Sequence, residues 1–147
     1  MMNIFFKEFH EDNMIKIVIA GMEEVKISFE KPTEKELLEH LDGVIYSAVV
    51  SSLNELRQRR EDFNLEQQPS DDFKKFFELP ASLAAKILLY KIMLKHNFRA
   101  VDLTKKLNIS PAAVGRLLDF TKKSEIDGIQ EALKVTGYDL VMDAKVR

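Results

Sequence analysis

The sequence of 147 residues contains no cysteine and no tryptophan, and it has only three histidines and five glycines. A chain without cysteine forms neither a disulfide framework nor a Cys-ligated zinc site. His10, His40 and His96 lie too far apart in the sequence to form a metal-ligating motif, and the glycines form no phosphate-binding loop. We therefore expect no metal and no other cofactor.

Long apolar runs are also missing. No stretch approaches the ~20 apolar residues that a membrane-spanning helix needs. The N-terminal residues MMNIFFKEFHED carry acids where a signal peptide would have a basic start followed by an apolar run. These features predict a cytoplasmic protein with no membrane partner.

Charge is divided unevenly along the chain. Residues 1–79 contain 10 Lys and Arg against 17 Asp and Glu, a net charge of −7, whereas residues 80–147 contain 12 against 7, a net charge of +5. This asymmetry indicates two domains. A basic domain suits nucleic acid, while an acidic domain suits either a basic protein partner or a solvated surface.

The first 60 residues predict a small α+β domain. Three β-rich runs, Asn3 to Phe9, Met14 to Ala20 and Val25 to Glu30, are separated by turn residues and predict a three-stranded antiparallel sheet. A capping-box pattern, Thr33 with Glu36, precedes a long series of apolar residues at helical spacing and predicts one helix from Thr33 to Arg60. We expect this helix to cover one face of the sheet.

Residues 61–79 are interpreted as a linker, because the stretch from 61 to 72 has no periodicity. Phe73 to Leu79 could add a short strand. Residues 80–147 predict an all-α domain, with a first helix from Ala81 to Lys95 and a last helix that begins at Ser124 and ends at Gly137. Tyr138 to Val146 then alternates apolar and polar residues, which predicts a terminal strand.

An apolar-faced strand at a chain end invites pairing with a second copy of the chain. The predicted interface of a homodimer or higher homo-oligomer therefore consists of alternate residues of this strand: Tyr138, Leu140, Met142 and Ala144.

The segment from Arg99 to Phe120 has the spacing of a helix-turn-helix. The first helix would bury Val101, Leu103 or its neighbour Thr104, and Leu107. Asn108 suits a left-handed turn. Ser110 would cap the second helix, and Pro111 would occupy its first position. The same pattern also occurs in helix pairs that only pack together and bind no DNA.

Cations on or near the two helices favour the DNA-binding interpretation, because phosphates are contacted there when the second helix enters the major groove. The candidate contacts to phosphates and bases are Lys105, Lys106, Ser110, Ala112, Ala113, Arg116, Lys122 and Lys123.

The order of these parts, and the run LPASLAAKILLYKIM, LTKKLNISPAAVGRLLD and KSEIDGIQEALKVTGYDL, resemble HicB antitoxins with a C-terminal helix-turn-helix. The motifs cover residues 73–142, and the first half resembles the family only in its order of elements. The resemblance implies that residues 1–60 form a partial RNase H-like domain that binds and neutralises a HicA-like ribonuclease toxin. It also implies that residues 80–147 repress the operon by binding operator DNA as a dimer.

A toxin that binds RNA must be cationic, so exposed acids are the candidates for steering it to the first domain. These are Glu11, Asp12, Glu23 and Glu24. Apolar contacts would come from strand residues such as Phe6 and Ile17, or from Phe73 to Leu79.

An enzyme is disfavoured. Glu8, His10, Glu11 and Asp12 resemble a group of catalytic side chains, but they occupy a predicted hairpin turn with no apolar surroundings to shift their pKa values.

Two other interpretations of the function remain open. The chain could be a helix-turn-helix regulator whose first domain senses a ligand or only oligomerises, or an interaction protein that binds no DNA.

Overall fold

A computed structural model describes residues 2–147 of the chain. The fold is α+β, as predicted, and its described residues form six helices and one four-stranded antiparallel sheet. The chain divides into two compact units, the first ending at Leu79 and the second running from Pro80 to Arg147. The elements are β1 (Asn3–Glu11), β2 (Met14–Ile19), β3 (Ile27–Glu30), α1 (Lys35–Glu39), α2 (Leu41–Gln58), β4 (Lys75–Glu78), α3 (Ala81–Lys95), α4 (Ala100–Leu107), α5 (Pro111–Leu118) and α6 (Ile126–Val135).

The sheet of the first unit has the strand order β3-β2-β1-β4. The three predicted strands are present, and the short strand suggested at Phe73 to Leu79 is β4. The sheet therefore has four strands rather than three, because β4 pairs with β1 over a long sequence separation, with Ile4 opposite Phe77. Phe77 also stacks on Phe6, with 4.7 Å between the ring centroids. These contacts cover apolar surface on β1 that a three-stranded sheet would leave open.

The helical part of the first unit is broken, so the prediction of a single helix from Thr33 to Arg60 was wrong. The backbone of His40 leaves the helical region (φ −117°, ψ 38°) between α1 and α2, and no side chain caps α1 at Glu34. None of the α1 residues is buried, so no core packing holds it in line with α2. In α2 the buried stripe packs against the sheet: Ile45, Val49, Val50, Leu53 and Leu56.

Residues 61–72, interpreted from the sequence as part of a linker, are packed against the first unit. The Phe63 side chain is buried, and the Glu66 N–H donates to the Ala20 carbonyl oxygen. The Gln67 side chain both accepts from the Asn3 N–H and donates to the Asn3 carbonyl oxygen, at 2.9 and 2.8 Å. This segment therefore leads back to the edge of the sheet, where β4 begins.

The second unit is built around α3, whose predicted bounds, Ala81 to Lys95, are confirmed. This helix buries residues around most of its circumference, as its wide spread of apolar positions indicated. The core also includes the inner faces of the three following helices, and its buried members are Ala85, Leu89, Met93, Leu103, Val114, Leu117, Leu118, Ile129, Ala132 and Leu133.

The end of the chain differs from its prediction. The last helix begins at Ile126 rather than Ser124, and Glu125 precedes it without a capping side chain. Residues 138–147, all of which the structure describes, lie in irregular backbone rather than a strand. A strand needs a hydrogen-bonded neighbour, and no strand of the second unit is present in its described residues to supply one.

Candidate functional site

The turn between α4 and α5 has the local structure that its residues predict. Asn108 takes the left-handed conformation (φ 53°, ψ 46°), and the Ser110 hydroxyl oxygen accepts the Ala113 N–H at 3.1 Å. Pro111 is the first residue of α5. A left-handed residue thus follows α4, and a capping serine precedes α5.

Apolar side chains on the inner faces of α4 and α5 anchor the pair in the second core. Leu103, Val114, Leu117 and Leu118 are buried as predicted. Val101 is not: 55% of it is exposed, because the single buried position of α4 is Leu103 and Val101 lies on a different side of the helix. α5 consequently makes the larger contribution to the core, while most of α4 faces outward.

The candidate DNA contacts form an exposed surface around the two helices. Lys105 and Lys106 lie in the last turn of α4, and Arg116 lies in the last turn of α5. The exposed members are Lys105, Lys106, Ser110, Ala112, Arg116, Lys122 and Lys123. Ala113 is half-buried and lines an apolar groove with Leu107, Ile109 and Leu117. Arg116 is thus the one charged side chain of α5 available to a base edge or a phosphate.

A residue that the sequence interpretation missed lies beneath this surface. Lys86 on α3 is only 2% exposed, and its Nζ donates to three backbone carbonyl oxygens. These belong to Arg116 at 3.1 Å, Asp119 at 2.8 Å and Lys122 at 2.6 Å. The sequence does contain a signal, because Lys86 shares a helical face with the buried residues Leu83 and Tyr90.

The four candidate acids of the first unit are all exposed, but the fold does not bring them together. Glu11 and Asp12 lie at the turn between β1 and β2, where Asp12 has a positive φ of 52°. Glu23 and Glu24 lie in the connection that follows β2. Because β2 runs between the two turns, the two acidic pairs are at opposite ends of the sheet.

The strand residues proposed to hold a partner by apolar contact are unavailable for that role. Phe6 and Ile17 are buried, because both face the side of the sheet that is packed in the unit's own core. The opposite face presents Phe5, Phe9 and Phe76 instead. Phe5 and Phe76 pair across strands with ring centroids 5.4 Å apart, and Phe76 is 55% exposed.

The candidate dimer residues divide into two groups. Tyr138 and Leu140 are partly buried against the core of their own unit, and the Tyr138 hydroxyl lies 2.7 Å from His96 Nε2. Met142 and Ala144 are exposed. The structure therefore accounts for the apolar character of the first two residues within one chain, and leaves the later ones uncovered.

Two of the side chains that resemble a catalytic group, Glu8 and His10, lie on β1 rather than in the predicted turn and contact each other. Glu8 pairs with Lys75 and lies 3.2 Å from His10 Nε2.

In residues 2–147 no three His, Asp or Glu side chains are arranged to hold a metal ion. Burial raises the pKa of the half-buried Tyr46 phenol, whose ring packs edge-on against Phe77. None of the helices described is both long enough and apolar enough to cross a membrane.

No family model matches the chain. Two curated proteins are similar to it: antitoxin HicB 2 of Photorhabdus laumondii subsp. laumondii, 34% identical over 76 residues, and antitoxin HicB of Pseudomonas fluorescens (strain Pf0-1), 30% identical over 67 residues. The first match covers 52% of this chain and 55% of the relative, and the second covers 46% of each. The chain thus spans about half the length of these relatives.

Both relatives carry the name of an antitoxin and neither carries that of an enzyme, in agreement with the non-enzymatic interpretation. The comparisons confirm that the chain resembles HicB-type antitoxins.

Proposed function

We propose that this chain is an antitoxin of the HicB type, which neutralises a small ribonuclease toxin with its first unit and represses its own operon with its second. The observation that carries the proposal is the α4–α5 pair, whose capped turn presents Arg116 and neighbouring lysines on an exposed surface. The similarity to two HicB antitoxins supports the toxin partner.

In this proposal α5 is the recognition helix of a helix-turn-helix and enters the major groove of operator DNA. Arg116 contacts a base edge, while Lys105, Lys106, Lys122 and Lys123 contact phosphates. The N-terminal half of α5 offers little hydrogen bonding, because Ala112 and Ala113 supply only methyl groups. Part of the sequence preference therefore comes from apolar contacts to thymine methyls and from DNA shape.

Titration of the full chain on its own promoter tests the repressor half of the proposal. Arg116→Ala should weaken specific binding by about 1–3 kcal/mol if its side chain contacts a base. Lys134→Ala is a charge-matched control, since Lys134 is exposed on α6 and pairs with Glu131 at 3.7 Å. Equal affinity of the full chain for its promoter and for random DNA would contradict the proposal.

The toxin-neutralising half rests on charge and on the open face of the sheet. The first unit has a net charge of −7, which favours fast association with a cationic ribonuclease. Phe9 and Phe76 are exposed aromatic side chains of the kind that contribute most to stable interfaces. We assign electrostatic steering of the toxin to Glu11, Asp12, Glu23 and Glu24. We assign the apolar contacts that stabilise the complex to Phe9 and Phe76.

Co-expression of the full chain with the small protein encoded beside it tests this half. Phe76→Glu should abolish rescue from the toxin, and Leu88→Glu, at an exposed apolar residue of α3, is the matched control. Charge reversal at Glu23 and Glu24 should slow association more than it speeds release. If the unaltered chain neither rescues cells nor forms a complex, the first unit is a sensing or oligomerisation domain and the chain is a plain regulator.

We also propose that the DNA-binding form is a homodimer joined through its last residues. Met142, Ala144 and Val146 are exposed and would share one face of the segment if it were extended. Pairing of two such segments would cover them, and a twofold axis is what inverted DNA half-sites require.

A further inference from the structure

The ammonium group of Lys86 joins three points of the backbone that are distant from it in sequence. A lysine ammonium has three N–H donors, and each finds an oxygen acceptor, at Arg116, Asp119 and Lys122. The acceptors lie in the last turn of α5, at the residue that follows the helix and in the turn after it.

The position of the ammonium suits the end of a helix. The last carbonyl groups of α5 have no partner within the helix, and a cation near them is favoured by the helix dipole. Burial makes the contact more demanding, because a buried ammonium is tolerated only when its hydrogen bonds are satisfied. The backbone from 116 to 122 is thereby fixed relative to α3.

That stretch of backbone carries two of the candidate DNA contacts and directly precedes a third. The Arg116 and Lys122 carbonyl groups are themselves acceptors for Lys86, and Lys123 follows directly. We propose that Lys86 is a positioning residue for DNA binding, which holds the C-terminal end of α5 and the 119–122 turn so that these three side chains reach the DNA together. This inference rests on the proposed repressor function.

The test compares operator binding by the full chain and by folded Lys86 variants over a range of salt concentrations. Lys86→Met keeps the aliphatic length and removes all three donors. It should lower operator affinity at least about tenfold, as loss of one base contact does. It should also lower the slope of log affinity against log salt concentration by about one for each phosphate contact that is lost. Lys86→Arg keeps the charge, although its planar donors cannot converge on three carbonyl oxygens. Its operator affinity should therefore fall, but by less than that of Lys86→Met.

Leu89→Ala is the matched control, because Leu89 is a fully buried residue of the same helix and has no hydrogen-bonding side chain. At a temperature where all variants are folded, it should retain the affinity and salt dependence of the unaltered chain. If Lys86→Met does not fold, Lys86→Arg carries the test. The inference is overturned if the folded Lys86 variants bind like the unaltered chain, or if Leu89→Ala loses as much affinity as they do. If the unaltered chain shows no preference for its promoter, the proposed function fails and the inference fails with it.

Discussion

The ammonium nitrogen of Lys86 lies 2.8 Å from the carbonyl oxygen of Asp119, the residue that directly follows α5. The Asp119 side chain in turn accepts from the Thr121 N–H at 2.9 Å and from the Thr121 hydroxyl at 2.6 Å. The turn after α5 is thus held from inside by a buried cation and from outside by a local carboxylate. Both contacts therefore involve Asp119, one through its backbone carbonyl group and one through its side chain.

The first prediction is that these two contacts are energetically coupled. Asp119→Ala should destabilise the second unit by about 1–2 kcal/mol, since two local hydrogen bonds are lost. In combination with Lys86→Met the effects should depart from additivity by at least about 0.5 kcal/mol. Urea unfolding in a Tyr46→Phe background gives the measurement, because the remaining tyrosines, Tyr90 and Tyr138, both belong to the second unit and the chain has no tryptophan. Strict additivity would show that the two contacts act independently.

The second prediction concerns the left-handed residue between α4 and α5. Asn108→Val should destabilise the second unit by about 1–2 kcal/mol, because a side chain branched at Cβ is disfavoured at φ 53°. Asn108→Gly should be neutral or slightly stabilising, since glycine adopts this conformation freely. Thermal unfolding of the two variants checks the prediction. Equal unfolding temperatures would mean that the turn relaxes to another conformation.

The third prediction separates a serine that caps a helix from one that does not. Ser110→Ala should cost about 1 kcal/mol, because the Ala113 N–H loses its acceptor. Ser124→Ala should change stability by less than about 0.5 kcal/mol, since its hydroxyl makes only a 3.4 Å contact with the Arg116 carbonyl oxygen and the last helix begins after Glu125. Denaturant midpoints of the two variants give the comparison. A similar loss in both would point to a capping role for Ser124.

The second unit follows its sequence closely because its determinants are local. Asn108, Ser110 and Pro111 act on backbone within a few residues of themselves, so their effect can be predicted without knowledge of the fold. The pairing of Ile4 with Phe77 is different, because two strands and two helices lie between these residues in the sequence. No local pattern specifies that pairing, and the fourth strand could be suggested only from the apolar residues of its segment.

The candidate site shows the same division. The exposure of Arg116 follows from the helical periodicity of α5, since Val114, Leu117 and Leu118 define the buried side. The contact of Lys86 with the end of α5 depends on how α3 packs against α5 and on a turn whose path the sequence does not reveal. A lysine among the buried residues of α3 indicates that its ammonium group has buried hydrogen-bond acceptors. The sequence does not identify which backbone carbonyl groups these are.

The fourth prediction tests whether residues 61–72 are an integral part of the first unit. Gly21 has a φ of +93°, and a Cβ there would lie 2.6 Å from the Asn64 carbonyl oxygen. Gly21→Ala should therefore destabilise the first unit by about 2 kcal/mol or more, through backbone strain and a clash with this segment. Gly43→Ala is the control, because a Cβ added at this position of α2 would meet nothing within 4 Å, and alanine should add about 1 kcal/mol of stability. Hydrogen exchange of the sheet amides measures both. An unaffected sheet in Gly21→Ala would mean that residues 61–72 move aside without cost.

The last prediction concerns the exposed end of the chain. Deletion of residues 141–147 should leave the core of the second unit intact, because Tyr138 and Leu140, which pack against that core, are retained. If the deleted segment joins two copies, the shortened chain should sediment as a monomer. Its operator affinity should fall and depend more steeply on protein concentration, since two linked recognition helices about 34 Å apart are needed for inverted half-sites. Met142→Asp is a milder variant that introduces a charge at an exposed apolar residue and should weaken association without shortening the chain. A shortened chain that still sediments as a dimer would place the interface elsewhere, and the long helix α2 would then be the next surface to alter.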